Sequence, residues 1–343
     1  MGPWRQLTMI GLGALLLQAG PACAAAPDQR VSRRVMMLAR DTVWTKVGAI
    51  RIAFDTFHPQ GMVRIGENFY VSSVEVRREP RKLATPRDGQ RYDAGAGIGH
   101  LFKIGPHGEL LADLVLGEGS IYHPGGIDFD GSSIWVPVAE YRPDSRAIVY
   151  KVAPDTMTAT VAFTVADHVG GLVHDVDGRR IVGLSWGSRR FYAWPDAAGG
   201  KTPQASTAAP VANPESYIDY QDCHYAGARR MLCGGLAEYR PAPGAPMLSL
   251  GGLDLIDVAT FRPVWQAPVP LWAPSGRAMT QNPFWVEPTS TGLRAYFMPD
   301  DDVSTVFVYD AAMPVQRRPP PRDVTRDAAV GTRTAVASGS HRR

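Results

Sequence analysis

HPQGMVRIGENFYVSSVEVR (His58–Arg77) is the stretch that decides the fold of this chain, because it returns twice more without a gap. The other ungapped copies are HPGGIDFDGSSIWVPVAEYR (His123–Arg142) and QDCHYAGARRMLCGGLAEYR (Gln221–Arg240), and looser copies span His168–Ser188 and Gln281–Asp301. Repeats that are separated by several tens of residues and built of short alternating strands are typical of β-propellers. The five copies therefore predict five similar structural units.

Each unit contains four strands. In the second copy, GGIDF and SIWVPVAEY form the first two strands, and AIVYKVAP (Ala147–Pro154) and ATVAFTVAD (Ala159–Asp167) form the next two. Four antiparallel strands in each repeat make the blade of a propeller. We therefore predict an all-β, five-bladed β-propeller over residues 40–311, with six blades as the alternative if the region before His58 contains a degenerate copy. No helical pattern of useful length follows the N-terminal apolar run.

The fifth copy is one strand short. It continues into STVFVYDA (Ser304–Ala311) and then ends, whereas TVWTKVGAIRIAF (Thr42–Phe54) precedes the first copy and supplies a strand without a blade. We predict that this N-terminal strand completes the last blade and so closes the ring.

The two ends of the sequence predict export and a disordered tail. Arg5, the apolar run Met9–Leu17 and the small residues around Cys23 form a signal peptide over residues 1–24, too short to span a membrane. Residues 312–343 are rich in proline and arginine and poor in apolar residues, which favours a disordered basic tail. We expect a periplasmic or secreted protein without a membrane span.

Export changes the interpretation of the remaining cysteines. Cys223 and Cys233 lie ten residues apart and flank a turn near Gly227-Ala228. An even number of cysteines in an oxidising compartment favours a disulfide, and two buried thiols are the alternative.

The formal net charge of +3 is too small to indicate a nucleic-acid partner. We expect a monomer.

Polar residues open and close the copies. The start of the first strand and the end of the second lie at the same edge of an antiparallel pair, so both sets face one mouth of the central channel. The entry positions are His58, His123, His168, Gln221 and Gln281 or Asn282. The exit positions are Glu75, Glu140, Gly187, Glu238 and Asp301.

These positions predict a functional site, because charged groups in one concavity are costly unless they are paired or bound to a ligand. The candidate catalytic residues are His58, His123, His168, Glu75, Glu140 and Glu238. The candidate ligand-binding residues are Gln60, Arg77, Arg142, His174, Trp186, Asp222, His224, Arg240 and Asp301. The structural alternative is that Glu75, Glu140 and Glu238 pair with the arginines two positions later, and that Tyr141 and Tyr239 serve packing.

Two kinds of chemistry fit these residue types. Three histidines from consecutive blades, with Glu75 or Glu140 nearby, are candidate ligands for Ca²⁺ or Zn²⁺, which would activate water for hydrolysis. Without a metal, a histidine base with a tyrosine or glutamate acid and an arginine suits elimination from a uronic-acid sugar, and Trp186 and Trp285 would stack on the sugar. We expect a hydrolase or lyase for a small polar or carbohydrate-like molecule. The alternative is a non-catalytic ligand-binding or protein-interaction propeller.

The stretch His58-Pro59-Gln60-Gly61-Met62, with Arg40–Trp44 before it, resembles a family of secreted bacterial and fungal propellers known only as a domain of unknown function. The resemblance covers about Arg40 to Ala311 and implies a fold without an activity. The repeats also resemble those of the five-bladed glutaminyl cyclotransferases, which begin with an aromatic-x-Gln-Gly-Leu element. The other entries depart from that element, so this resemblance implies no catalytic residue here. Lactonase-like propellers with a central calcium are a looser analogy.

Overall fold

The computed structural model describes residues 29–87, 89–196, 209–214 and 217–312. The predicted signal peptide and the predicted tail lie outside these residues, except for Ala312, which the structure places at the end of the last strand. The described residues form five antiparallel blade sheets in a propeller arrangement and one additional two-stranded hairpin. The five-bladed prediction is therefore confirmed, rather than the six-bladed alternative.

The elements are as follows. A short helix, α1 (Gln29–Val35), precedes strand β1 (Trp44–Arg51). Blade one contains β2 (His58–Ile65) and β3 (Asn68–Arg78), then the inserted hairpin β4 (Lys82–Arg87) and β5 (Gln90–Tyr92), then β6 (Ala96–Ile104) and β7 (Leu110–Leu116). Blade two contains β8 (Ile121–Pro124), β9 (Asp128–Phe129), β10 (Ile134–Glu140), β11 (Ala147–Ala153) and β12 (Thr158–Val165).

Blade three contains β13 (Gly171–Asp175), β14 (Arg180–Leu184), a 3₁₀ turn (Trp186–Ser188), β15 (Arg190–Pro195) and β16 (Val211–Ala212). Blade four contains β17 (Asp219–Tyr225), β18 (Arg230–Tyr239), β19 (Leu248–Asp257) and β20 (Arg262–Val269). Blade five contains β21 (Phe284–Pro288), β22 (Gly292–Phe297) and β23 (Thr305–Ala312), and β1 is its fourth strand.

Strand β1 closes the ring. It pairs antiparallel with β23, so that Trp44 lies opposite Ala311 and Arg51 lies opposite Thr305. The predicted completion of the last blade by the N-terminal strand is confirmed. The first and last strands of the propeller are thus neighbours in one sheet, which leaves no gap between blades one and five.

Apolar side chains fill the spaces between neighbouring blades. Because both faces of a blade are covered, its middle strands are largely buried, and all seven residues of β10 are. The described part of the core divides into five clusters, one for each pair of neighbouring blades. Their members include Val63 with Val136, Trp135 with Trp194, Phe191 with Met231, Leu253 with Phe284, and Met62 with Met298.

Glycines after the His-Pro pairs allow the inner strands to approach one another near the channel axis. A β-carbon on Gly61 would lie 2.5 Å from the backbone nitrogen of Ile127, and one on Gly125 would lie 2.3 Å from the carbonyl oxygen of Gly170. Both neighbours are backbone atoms, which cannot turn aside as a side chain can. These positions therefore require glycine for close backbone approach.

Helix α1 was not predicted from the sequence. Its last residue, Val35, and the following Leu38 are buried in the apolar cluster between blades four and five. A helix of seven residues is too short to show a clear periodicity, and its stability comes from this packing. No helix among the described residues is long and apolar enough to cross a membrane.

The predicted disulfide is present in blade four. Cys223 in β17 lies directly opposite Cys233 in β18, with a Cα–Cα distance of 4.1 Å, and the two sulfur atoms are bonded. The turn between the two strands therefore sets a register in which the two cysteines lie opposite each other.

A set of buried polar side chains, which we call the channel belt (Asp222, Asp128 and His224), joins the inner strands. The Asp222 carboxylate accepts hydrogen bonds from the backbone N–H groups of Met62 at 3.0 Å and Ile127 at 3.2 Å. The Asp128 carboxylate accepts hydrogen bonds from the backbone N–H groups of His174 and Tyr225. His224 Nε2 donates to the carbonyl of Phe284 at 2.7 Å. The belt thus connects all five blades.

The titratable groups of the belt shift one another's pKa values. Burial raises the pKa of Asp128 to about 6 and raises that of Asp222, although the charge of His224 opposes both increases. Burial would lower the pKa of His224, but the Asp222 carboxylate, 3.2 Å away, raises it. Asp222 and His224 therefore favour each other's charged form, which offsets part of the cost of burying them.

Replacing both Cys223 and Cys233 by alanine should lower the free energy of unfolding by about 2–3 kcal/mol, because the bond closes a loop of roughly ten residues in the unfolded chain. Urea unfolding of the double variant and the wild type measures the difference. Wild-type protein unfolded under reducing conditions should match the double variant. Equal stability in all three samples would contradict the prediction.

Asp222→Ala should destabilise the protein by about 3–5 kcal/mol, since it leaves the charge of His224 and two backbone N–H groups without their partner. Thermal and urea unfolding measure this loss. The exposed Asp155 provides the matched control, and Asp155→Ala should change stability by no more than about 0.5 kcal/mol. Similar effects of the two substitutions would show that the belt does not connect the blades energetically.

Candidate functional site

The entry and exit positions gather around one mouth of the channel. A central pocket of about 250 Å³ lies there and is lined by the predicted His58, Gln60, His123, His168, Trp186 and Asp222, together with Tyr141 and Gln221. A depression of about 320 Å³ adjoins it beside Glu75 and Asp301. A second depression, of about 370 Å³, adjoins it beside Glu238 and Asn282. His58 borders all three spaces.

His58 is oriented by a carboxylate of the neighbouring blade. Its Nδ1 lies 2.8 Å from Asp301 Oδ1, and Asp301 also accepts hydrogen bonds from Arg277 at 2.6 Å and Asn282 at 2.9 Å. Burial would raise the pKa of Asp301, but the hydrogen bond and charge of His58, with Arg277 and Asn282, lower it to about 2. An ionised Asp301 accepts only, so Nδ1 carries the proton and Nε2 is the nitrogen left for the pocket.

His123 and His168 are buried and uncharged. Burial lowers the pKa of His168 to about 4, and burial, with the electrostatic influence of the neighbouring His168 and His58, lowers that of His123 well below its usual value. His168 Nδ1 donates to the carbonyl of Glu140 at 2.9 Å, which leaves the lone pair on Nε2. Both rings border the central pocket, so at neutral pH they offer hydrogen-bonding groups without charge.

Aromatic rings form one side of the pocket. Tyr141 stacks on His123 with ring centroids 4.4 Å apart, and Trp186 meets His168 edge-on at 4.8 Å. Tyr141 and Trp186 lie 5.7 Å from each other. Tyr141 was assigned to packing from the sequence, yet it borders the central pocket and the depression beside Glu75. The sequence contains one indication of such a role, because the fourth copy also has a tyrosine, Tyr239, directly after its exit glutamate.

The exit glutamates differ in their surroundings. Glu140 is buried, and its carboxylate accepts hydrogen bonds from Ser120, Arg142 and Arg146. Burial would raise its pKa, but these bonds lower it. Glu140 does not border the central pocket. Because these three partners satisfy both carboxylate oxygens, Glu140 joins β10 to the following loop, as in the structural alternative.

The other two glutamates lie on the rim. Glu75 pairs with Arg77 at 3.3 Å, and its Oε2 lies 3.9 Å from Nε2 of the buried His100. Glu238 is exposed and accepts a hydrogen bond from Ser249 at 3.4 Å. Both border depressions beside the central pocket, so their carboxylates are accessible from the mouth.

The candidate arginines lie outside the central pocket. Arg77 is exposed on the rim, and Arg142 bonds both Glu140 and the carbonyl of Tyr92. Arg240 is exposed and donates to the carbonyl of Ala245 at 2.8 Å. Arg77 is therefore the candidate arginine nearest to the depression that contains Glu75.

Gln60 and Asp222 form part of the pocket lining in different ways. Gln60 lines the pocket, and among the described residues its side-chain amide makes only a long hydrogen bond of 3.4 Å, to the carbonyl of Pro59. The carboxylate of Asp222 is engaged with backbone N–H groups in the channel belt. Gln60 is therefore the more available of the two for a ligand.

Three side chains that were expected near this mouth lie elsewhere. His174 lies between blades two and three, where Nδ1 is 3.0 Å from Asp130 and Nε2 is 3.2 Å from Asp196. His224 belongs to the channel belt, and Trp285 borders the cavity at the opposite end together with His224. Each residue along a strand advances by about 3.3 Å, so residues a few positions after an entry lie well below the mouth.

The described residues do not fit a metal centre. No group of three or more His, Cys, Asp or Glu side chains in this part of the chain is spaced to hold a metal ion. The predicted histidines and glutamates therefore do not form a ligand set for Ca²⁺ or Zn²⁺ in this part of the chain.

Comparisons with known proteins gave one family match and several similar structures. The model of a family of unknown function, DUF6454, matches residues 14–315, and no curated protein matches the chain. The chain is similar to the glutaminyl cyclase of Myxococcus xanthus, with 14% identity, 79% of this chain and 98% of that chain covered, and a TM-score of 0.47. It is also similar to a hypothetical protein from Leishmania major (12% identity, 78% and 91% covered, TM-score 0.46).

The periplasmic gluconolactonase of Pseudomonas aeruginosa is a third similar structure, with 15% identity, 76% of this chain and 87% of that chain covered, and a TM-score of 0.36. These likenesses transfer no activity and no residue role to this chain.

The neutral state of His168 predicts a loss of stability in acid. Its pKa is lowered in the folded protein. The neutral ring therefore contributes to the free energy of unfolding above about pH 6.5, and this contribution is lost as the pH falls towards 4. The loss is on the order of 3 kcal/mol when complete. His168→Asn, which retains a donor for the Glu140 carbonyl, should lose less stability than the wild type between pH 7 and 4.5.

Urea unfolding at several pH values measures this difference. The exposed His107 is the matched control, and His107→Asn should follow the wild-type pH dependence. If His168→Asn also follows it, the neutral buried state assigned to His168 is wrong.

Proposed function

The chain belongs to this family of unknown function, and from the geometry of its channel mouth we propose that it is an enzyme for a small carbohydrate-like molecule. The proposed reaction is hydrolysis or elimination, with His58 as the general base. The observation that carries the proposal is the His58–Asp301 pair at the junction of the three spaces of the mouth.

The pair has the arrangement that general-base catalysis requires. Asp301 fixes the tautomer and orientation of the imidazole, and it stabilises the imidazolium that forms when Nε2 accepts a proton. Arg277 and Asn282 fix Asp301 in turn. In hydrolysis, Nε2 takes the proton of the attacking water. In elimination, it takes the proton beside the carboxylate of a uronic-acid sugar.

The opposite side of the mouth offers a proton donor. Burial, with the nearby charges of Glu79 and Asp301, raises the pKa of Tyr141, so its hydroxyl remains protonated at neutral pH. Tyr141 and Glu75 both border the depression beside His58. The Tyr141 hydroxyl would give its proton to the departing oxygen, and Arg77 on the rim would pair with a substrate carboxylate.

The pocket suits one sugar ring. Its volume of about 250 Å³ is below the usual range for drug-sized ligands, which begins at roughly 300 Å³. Trp186 and Tyr141 supply aromatic surface, and Gln60, Gln221, His123 and His168 supply hydrogen-bonding groups for hydroxyls. This combination of ring faces and polar groups matches the amphipathic surface of a sugar.

Non-catalytic ligand binding is the second candidate. The hydrogen bonds that Glu140 accepts occupy its carboxylate, which leaves fewer carboxylates for acid–base catalysis than the sequence suggested.

For either function we propose export to the periplasm or the extracellular space. The Cys223–Cys233 disulfide supports this location, since such bonds persist in oxidising compartments.

His58→Asn tests the catalytic proposal. Asparagine retains a donor towards Asp301 but removes Nε2, so turnover should fall by roughly 10²–10⁴-fold while the fold persists. Turnover is measured on a panel of aryl glycosides, sugar lactones and oligouronates, and folding is checked by circular dichroism. His107→Asn, on the exposed surface, should retain full turnover.

Two results would contradict the proposal in different ways. A folded His58→Asn variant with wild-type turnover would remove His58 from the reaction. Saturable binding of a sugar without turnover of any member of the panel would favour the non-catalytic alternative.

A further inference from the structure

A groove leads outward from the central pocket. It has a volume of about 370 Å³ and runs between the inserted hairpin β4–β5 and the loop that follows β10. We call it the aromatic groove and define it by Glu79, Tyr92, Tyr141, Arg142 and Trp186. Tyr141 and Trp186 border both the groove and the central pocket, so the two spaces are adjacent.

The aromatic rings of the groove are supported from behind. His123 stacks against Tyr141, and His168 contacts the edge of Trp186. Tyr92, on the hairpin, is 43% exposed and contributes a third ring farther from the pocket. The three rings therefore follow a path from the pocket to the outer surface.

The outer wall of the groove is fixed before any ligand binds. Arg142 Nη1 donates to the carbonyl of Tyr92 at 2.9 Å, while Nε and Nη2 of the same guanidinium bond the buried Glu140. Gln90 of the hairpin also donates to the carbonyl of Asp144 at 2.5 Å. The hairpin is thus attached to blade two, and a ligand would not have to order it.

The polar groups of the groove include an available acceptor. Glu79 has no ion-pair or hydrogen-bond partner among the described residues, and it lies at the border of the groove and of the depression beside His58. Aromatic faces with an unpaired carboxylate between them match a sugar chain, which presents C–H faces and hydroxyl edges.

We propose that the aromatic groove binds the second and following sugars of an oligosaccharide whose terminal sugar occupies the central pocket. This inference rests on the proposed function, since it takes a sugar in that pocket as given. The substrate is then an oligosaccharide rather than a free monosaccharide. Trp186 and Tyr141 contact the terminal sugar and its neighbour, and Tyr92 contacts the sugar farther out.

A chain-length series tests this inference. Galacturonic acid with its dimer and trimer, and glucose with cellobiose and cellotriose, are titrated by calorimetry into the wild type and into His58→Asn, which leaves the sugars intact. In the series that binds, affinity should rise by roughly tenfold or more from monomer to trimer. Tyr92→Ala should abolish the part of that gain that arises between dimer and trimer and leave monomer affinity unchanged. Tyr239→Ala, an equally exposed tyrosine on β18, should retain it.

The outcomes separate this inference from the function it rests on. Equal affinity for monomer and trimer, or an undiminished gain in Tyr92→Ala, overturns the groove assignment and leaves the pocket assignment standing. Absence of binding by every sugar overturns both. A proline-rich peptide that binds the wild type and is lost in Tyr92→Ala overturns the assignment of the groove to sugars.

Discussion

The rest of the structure depends on the hydrogen bonds that the buried Asp222 carboxylate accepts from other blades. The carboxylate binds backbone N–H groups of blades one and two from its position on blade four, and it is paired with His224, which reaches blade five. Burial of a carboxylate is costly, and the cost is offset here by several hydrogen bonds and an opposite charge. The inner strands are therefore connected across the channel as well as through the apolar contacts between blades.

The channel belt also determines where chemistry is possible. Below the mouth, the polar side chains are paired with one another and with backbone groups, which leaves little capacity for a ligand. At the mouth, His58 keeps Nε2 for the pocket, and His123 and His168 are neutral. The same inner strands thus provide the candidate site with their first residues and the channel belt with the residues that follow.

The asymmetry of the repeat shapes that site. In blade three the exit carboxylate is replaced by Gly187, whose φ of 58° belongs to the tight turn that contains Trp186. In blade two the tyrosine after the exit glutamate stacks on the entry histidine. The aromatic side of the pocket therefore lies between these two blades, and the hairpin inserted in blade one extends it outward. The proposed ligand site lies where the copies differ.

The sequence by itself determined the five blades, the closing strand and the disulfide, because each depends on local alternation, repetition or the spacing of two cysteines. It also marked His58, His123, His168, Gln60 and Trp186, which line the pocket, since the ends of paired strands must lie together.

Tertiary structure alone decided which polar side chains remain available. Glu140 is saturated by Ser120, Arg142 and Arg146, and Asp222 by backbone groups of other blades, although both occupy positions that the repeat marks for the mouth. His174 and His224 lie below the mouth because a strand advances with every residue. The repeat shows which blade end a residue occupies, but the partners that a side chain meets come from other blades, and only the closed ring brings them together.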